Sequence, residues 1–227
     1  MNLYIIVEGD KTELNVYPAW IKLLAPQLSR IYDAWDVTNN NYYLFSGGGI
    51  PHIYNHVLHA VVDINTINAG EKGRYDYLVV CLDTEESNRV AIEKCITDDM
   101  KANNLTLNRS QIVICEQQVC MESWFLGNRH VFKANPQSEA YLKYIQFYDV
   151  SQEDPELMGT DNPELNRAQF HYKYLKEMFK ERHMIYSKNN TKEVEKEAYL
   201  NQLIERNKET GHLSTFGNWL RFITSFK

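Results

Sequence analysis

The sequence predicts an α/β fold, a mainly parallel sheet flanked by helices, with a helical C-terminal elaboration. Strand-like and helix-like segments alternate over the first half of the chain, the pattern of a parallel sheet covered on both faces. The strand candidates are short apolar runs that stop at glycine or acidic residues, as in Leu3 to Val7 before Glu8-Gly9-Asp10. After about residue 135 the character changes to charged helical segments and one proline-containing acidic loop.

Leu3 to Val7 reads as a buried strand followed by a tight turn. From Thr12, Leu14, Tyr17, Trp20, Ile21 and Leu24 recur at threes and fours, which is helical; Pro18 is expected to kink that helix or delay its start, and Pro26 closes it. Tyr42 to Phe45 is a second strand, ending in Ser46-Gly47-Gly48-Gly49, and the helix after it carries Ile53, Val57, Ala60 and Val61 on one face. Tyr75 to Leu82 is the clearest strand and stops at Asp83. A helix from about Ser87 to Lys101, a strand from Gln111 to Cys115 and a helix start at Met121 to Leu126 follow. Ser151 to Pro163 reads as a loop; helices are expected over about 164–182, 191–208 and 213–225, the second capped from the Lys188-Asn189-Asn190-Thr191 turn. The division expected is a core over 1–135 and a mainly helical extension over 136–227, packed on that core.

Bulk properties narrow the class. With 227 residues, 44% hydrophobic and 24% charged, the chain has the make-up of one large folded domain or a core with an extension. No run approaches the roughly 18 apolar residues of a membrane span. The start of the chain has no basic leader and no small-residue cleavage site, so a secretory signal is not expected. Cys81, Cys95, Cys115 and Cys120 lack paired metal spacing and read as structural thiols in a reducing, cytoplasmic setting. A net charge of −6 disfavours non-specific binding of nucleic acid over the whole surface. It leaves a nuclease open, because bound metal supplies the positive charge that faces a phosphate.

The chemistry-bearing residues are acids at strand ends. Ligands gather at the carboxyl ends of parallel strands. Glu8 follows the first strand, and Asp83 with Glu85 follows the third. If those strands are neighbours, their acids converge, and two or three carboxylates suffice for Mg²⁺, which keeps several waters. A turn at Gly9-Asp10 that folds back would bring Glu13 towards Glu8. Each acid also has a plainer reading, since carboxylates at strand ends and in first helical turns cap amides and suit the helix dipole.

Ile5-Ile6-Val7-Glu8-Gly9-Asp10-Lys11-Thr12-Glu13 resembles the opening signature of TOPRIM domains, and Leu78-Val79-Val80-Cys81-Leu82-Asp83-Thr84-Glu85 resembles its second half. The family carries Asp-x-Asp there; Glu85 departs from it by one methylene. Val119-Cys120-Met121-Glu122-Ser123-Trp124-Phe125-Leu126, Tyr186-Ser187-Lys188 and Ser214-Thr215-Phe216 are similar to elements of the stand-alone RloB and OLD (overcoming lysogenisation defect) nucleases. The resemblance implies a TOPRIM-like core and a Mg²⁺-dependent phosphodiester nuclease acting on DNA or RNA, with Mn²⁺ as a substitute ion, in bacterial phage defence. By position, Glu8 is the implied general base or metal ligand, Asp83 and Glu85 hold the metal, Glu122 is a second-metal ligand, and Lys188 offsets transition-state charge. TOPRIM-like nucleases often occur with ATPases, and this chain has no phosphate-binding loop of its own, so an ATPase partner is implied. The alternative is a non-catalytic or partner-activated binding subunit.

The remaining polar patterns read as structure. Lys173, Lys176 and Lys180 interleave with Glu177 and Glu181 as a solvated face. His52, His56 and His59 share a helix face with no acid or cysteine to complete a zinc set. Phe216, Trp219, Leu220, Phe222 and Ile223 on the last helix would suit a partner surface, including that of a homo-oligomer.

Overall fold

The computed structural model describes residues 1–84 and 88–226. It forms two compact units. One comprises Met1–Leu82, Ser87–Glu116 and Phe222–Lys227; the other comprises Asp83–Glu86 and Gln117–Arg221. Residues 117–135, grouped with the α/β core on sequence grounds, thus belong to the second unit.

The first unit is built on β1 (Leu3–Val7), α1 (Thr12–Leu24), β2 (Ser29–Ile31), β3 (Asn41–Ser46), α2 (His52–Asn68), β4 (Tyr77–Asp83), α3 (Arg89–Ala102) and β5 (Gln111–Gln117). The strands form one five-stranded parallel sheet in the order β2-β3-β1-β4-β5. Every residue of β1 is buried, because the strand is central and both of its faces are covered. Tyr4, Ile6, Leu78, Val80 and Leu82 share a core with Ile53, Val57, Val61 and Ile64 of α2 and Ile92 and Ile96 of α3. On α1, Val16, Tyr17, Trp20 and Ile21 are buried, and Tyr17 lies against the thiols of Cys81 and Cys115. Alternate residues of β4 therefore serve opposite layers, as the two-residue period of a strand requires. Pro18 does not delay α1, which begins at Thr12 and runs through it.

The glycines after β3 have two distinct jobs. Gly48 and Gly49 hold φ of +70° and +82°, a region that costs a side chain strain. Gly47 has a packing reason: a Cβ there would lie 2.7 Å from Cγ1 of Ile53, a fully buried residue of the α2 core. Gly47→Ala is accordingly expected to destabilise the protein by about 1–3 kcal/mol through overpacking. Urea unfolding checks this, with the midpoint lowered and the slope unchanged.

The second unit is helical: α4 (Met121–Phe125), α5 (Glu139–Phe147), α6 (Arg167–Glu181), α7 (Glu197–Thr210) and most of α8 (Ser214–Thr224). Within the Ser151 to Pro163 loop, Pro155–Leu157 makes a single 3-10 turn whose Glu156 is almost completely buried. Its carboxylate accepts from Trp124 Nε1 at 3.0 Å, Ser214 Oγ at 3.0 Å and Thr215 N at 3.1 Å, tying α4 to the start of α8. Helix α7 starts at Glu197 with Lys196 as its cap, six residues later than expected. Thr191 instead directs its hydroxyl to Glu195, inside a run of turns. Of the α8 face expected to meet a partner, Phe216, Trp219 and Ile223 are buried within the chain, and Leu220 and Phe222 are half-buried.

Among the described residues, no helix is long and apolar enough to cross a membrane.

Candidate functional site

The sheet order reverses at β1. The chain pairs β1 with β3 on one side and with β4 on the other, and the crevice at the carboxyl ends of such strands is where open α/β sheets bind ligands. Val7 is in register with Cys81, so Glu8 leaves the sheet beside the end of β4. The glycine turn fixes the backbone there: Gly47 N donates to Val7 O at 2.7 Å and Gly49 N to Glu8 O at 3.1 Å. Glu8 itself is half-buried. Glu13 folds back across the turn as its spacing allows, and its Oε1 accepts from Gly9 N at 3.1 Å. That bond gives Glu13 the amide-capping role available to an acid in a first helical turn.

Within the second unit, a cleft of about 250 Å³ gathers residues from four separate stretches of sequence. Asp83, Glu122 and Lys188 line it, together with Asn166, Gln169 and Tyr172 from the first turns of α6. Each wall has an identifiable support. Thr84 N donates to Gln117 O at 2.9 Å, and Thr84 Oγ1 accepts from Val119 N at 3.1 Å, pinning the residue after Asp83 to the segment that leads into α4. Val119 turns that segment with φ of +72°, an outlier for a β-branched side chain. Backbone held in this way is concentrated at functional sites.

Glu122 lies in the first turn of α4 and is only 3% exposed. Its Oε1 accepts from the Tyr186 hydroxyl at 2.9 Å. The next residue, Ser123, meets His171 Nδ1 at 2.8 Å, and His171 Nε2 lies 3.0 Å from Met158 O. A carbonyl only accepts, so Nε2 carries the proton and Nδ1 accepts from Ser123. Burial holds His171 down at about 4, so the ring is neutral and works as a fixed link between α4 and α6. Cys120, the residue capping α4, also lines the cleft; burial pushes its thiol up, and the nearby charges of Glu122 and Asp83 push it further.

Lys188 is exposed at the first position of a two-residue turn closed by Asn190 N donating to Ser187 O at 2.8 Å. From α6, Lys176 places its ammonium 5.4 Å from the Tyr172 ring centre, while Lys180 pairs with Glu177 on the solvated face. His56 packs edge-on against Phe45 at 5.6 Å and against His59 at 6.4 Å, as part of a polar helix face.

Asp83, Glu122 and Lys188 are therefore brought into one cleft, whereas Glu8 stands at the end of β1 in the first unit. Glu85 lies outside the described residues. Among the described residues, no group of three or more His, Cys, Asp and Glu side chains is placed to hold a metal ion. The hard oxygen donors lining the cleft are the carboxylates of Asp83 and Glu122, the side-chain amides of Asn166 and Gln169 and the Tyr172 hydroxyl, beside the protonated thiol of Cys120. That set fits Mg²⁺, which uses one or two carboxylates and keeps several of its waters. Asn166, Gln169 and Tyr172 escaped the sequence reading, although Asn166 and Gln169 form a capping box whose Asn-x-x-Gln spacing marks a helix start.

No family model, curated protein or solved structure matches the chain.

Proposed function

We propose that this chain is a TOPRIM-type nuclease that hydrolyses phosphodiester bonds in DNA or RNA with Mg²⁺, acting in bacterial phage defence beside a separate ATPase. The observation that carries the reading is the meeting of Asp83, Glu122 and Lys188, distant in sequence, in one cleft. Two buried or half-buried carboxylates with an exposed lysine at the rim are what a metal-assisted phosphoryl site needs from its protein.

Bound in the cleft, Mg²⁺ would supply Lewis-acid stabilisation of the phosphoryl group. Asp83 and Glu122 would hold it, with Glu85 extending the set. Glu8, at the end of β1, keeps the general-base or metal-ligand role that the family resemblance implies. Lys188 would place its ammonium beside the phosphoryl oxygens, where negative charge grows in the transition state. The Glu122–Tyr186 hydrogen bond keeps that carboxylate in one orientation before substrate arrives.

The test is cleavage of labelled plasmid DNA and total tRNA by purified protein in Mg²⁺, Mn²⁺ or EDTA, with Asp83→Ala as the control. Cutting that needs the metal and is lost in Asp83→Ala is the expected result, and the substrate cut assigns the class. Glu85 in the place of an aspartate favours a second reading, a partner-activated or binding subunit. Metal binding without cleavage of either substrate would transfer the assignment to it.

A further inference from the structure

Glu122 is a nearly buried carboxylate with one oxygen engaged, and the group that engages it belongs to the stretch carrying Lys188. Tyr186 is 2% exposed, and its ring is packed among Phe125 at 5.8 Å, Phe179 at 5.6 Å and Tyr172 at 6.0 Å. Its phenol donates to Glu122 Oε1 at 2.9 Å. One residue later, Ser187 opens the tight turn that presents Lys188 to the cleft. The aromatic packing fixes the ring, the ring fixes the phenol, and the phenol fixes Glu122.

We infer that Tyr186 is a positioning residue for the metal site: it holds Oε1 of Glu122 so that Oε2 is offered to a divalent cation, and it ties that carboxylate to the turn bearing Lys188. The role holds only if Asp83 and Glu122 bind metal, as proposed above. Partners that orient a ligating carboxylate typically change metal affinity by about 10–100-fold when removed. Tyr186→Phe deletes the hydroxyl and keeps the ring in its packing.

The experiment is calorimetric titration of Mg²⁺ and Mn²⁺ into the wild-type chain, Glu122→Gln, Tyr186→Phe and the double variant, each confirmed folded by circular dichroism. Tyr186→Phe is expected to weaken metal binding by about 10–100-fold. In the Glu122→Gln background the same change is expected to add no further loss, because the group it positions is already gone. A structural tyrosine would leave the affinity of the folded protein unchanged, or lower it equally in both backgrounds; either result overturns the inference and leaves the metal reading standing. A wild-type chain that binds neither ion overturns both. A second measurement needs no substitution: in protein labelled with ¹³C at tyrosine Cζ, a tyrosine resonance is expected to move with the calorimetric midpoint of Mg²⁺ binding. Tyrosine resonances that all stay fixed at saturating metal overturn the positioning role.

Discussion

Arg206→Ala is expected to lower the stability of the protein by about 3–5 kcal/mol, the loss seen when a buried charged group that satisfies others is removed. Arg206 sits inside α7 and is 1% exposed. One guanidinium nitrogen donates to Gly127 O at 3.1 Å and Val150 O at 2.6 Å; another donates to Glu153 O at 2.7 Å and meets His212 Nδ1 at 3.1 Å. Three carbonyls from two separate loop regions thus depend on a single fork of donors. Burial lowers the guanidinium to about 10, still far above neutral pH, so it stays charged and its hydrogen bonds are charge-assisted. Truncation takes these donors from the buried carbonyls of Gly127 and Val150 and from that of Glu153, and opens a cavity. Lysine replaces the charge and not the planar fork, so Arg206→Lys is expected to recover only part of the loss. Thermal melts of the three proteins, with the order wild type, lysine, alanine, are the check.

The second large effect is an acid sensitivity centred on His171. Its folded value of about 4 lies below the ordinary 6.5 because the ring is fully buried. The unfolded chain therefore takes up a proton at higher pH than the folded one. Stability from this group is complete above about pH 6.5 and is lost as pH falls from there towards 4, a difference of about 3 kcal/mol. Glu156 works in the opposite sense: burial raises its carboxyl despite the hydroxyl and amide donors of Ser214 and Thr215, so its contribution falls as pH rises through the folded value. Comparing wild type with His171→Gln by urea unfolding from pH 7 to pH 4 isolates the histidine. The slope of stability against pH in that interval is expected to be shallower in the variant, and equal slopes would remove His171 as the cause.

Elements with strong local signals were legible in the sequence. Leu3–Val7, bounded by Glu8-Gly9, is a strand with the limits its apolar run marks out. The threefold and fourfold spacing of Ile53, Val57, Ala60 and Val61 marks the buried face of α2. By contrast β2 is three residues at a sheet edge, too short for any periodicity, and exists because β3 offers it a partner. Helix α5 spans nine residues with Tyr141 alone fully buried, so its apolar stripe is weak; Ser138, which caps it, was the available sign. At the cleft, Asp83 and Glu122 stand out as acids next to apolar runs. Nothing local distinguishes Arg206 or His171 from solvated helix residues. Their burial is set by loops remote in sequence, and a buried polar group becomes visible only with its partners.

The ends of the two units have a consequence for how the protein is made. Phe222 and Phe226 belong to the first unit, where they pack edge-on and tilted against Tyr77 near the start of β4, at 5.5 Å and 5.6 Å, and Gln27 Nε2 donates to Phe226 O at 2.8 Å. Most of the second unit, 117–221, is synthesised after the sheet and before these aromatic residues. On the ribosome, the β-sheet emerges early and must wait with Tyr77 uncovered while 117–221 is translated. Folding of the first unit is therefore completed only after 117–221 has been translated, and its sheet depends on chaperone shielding over that interval.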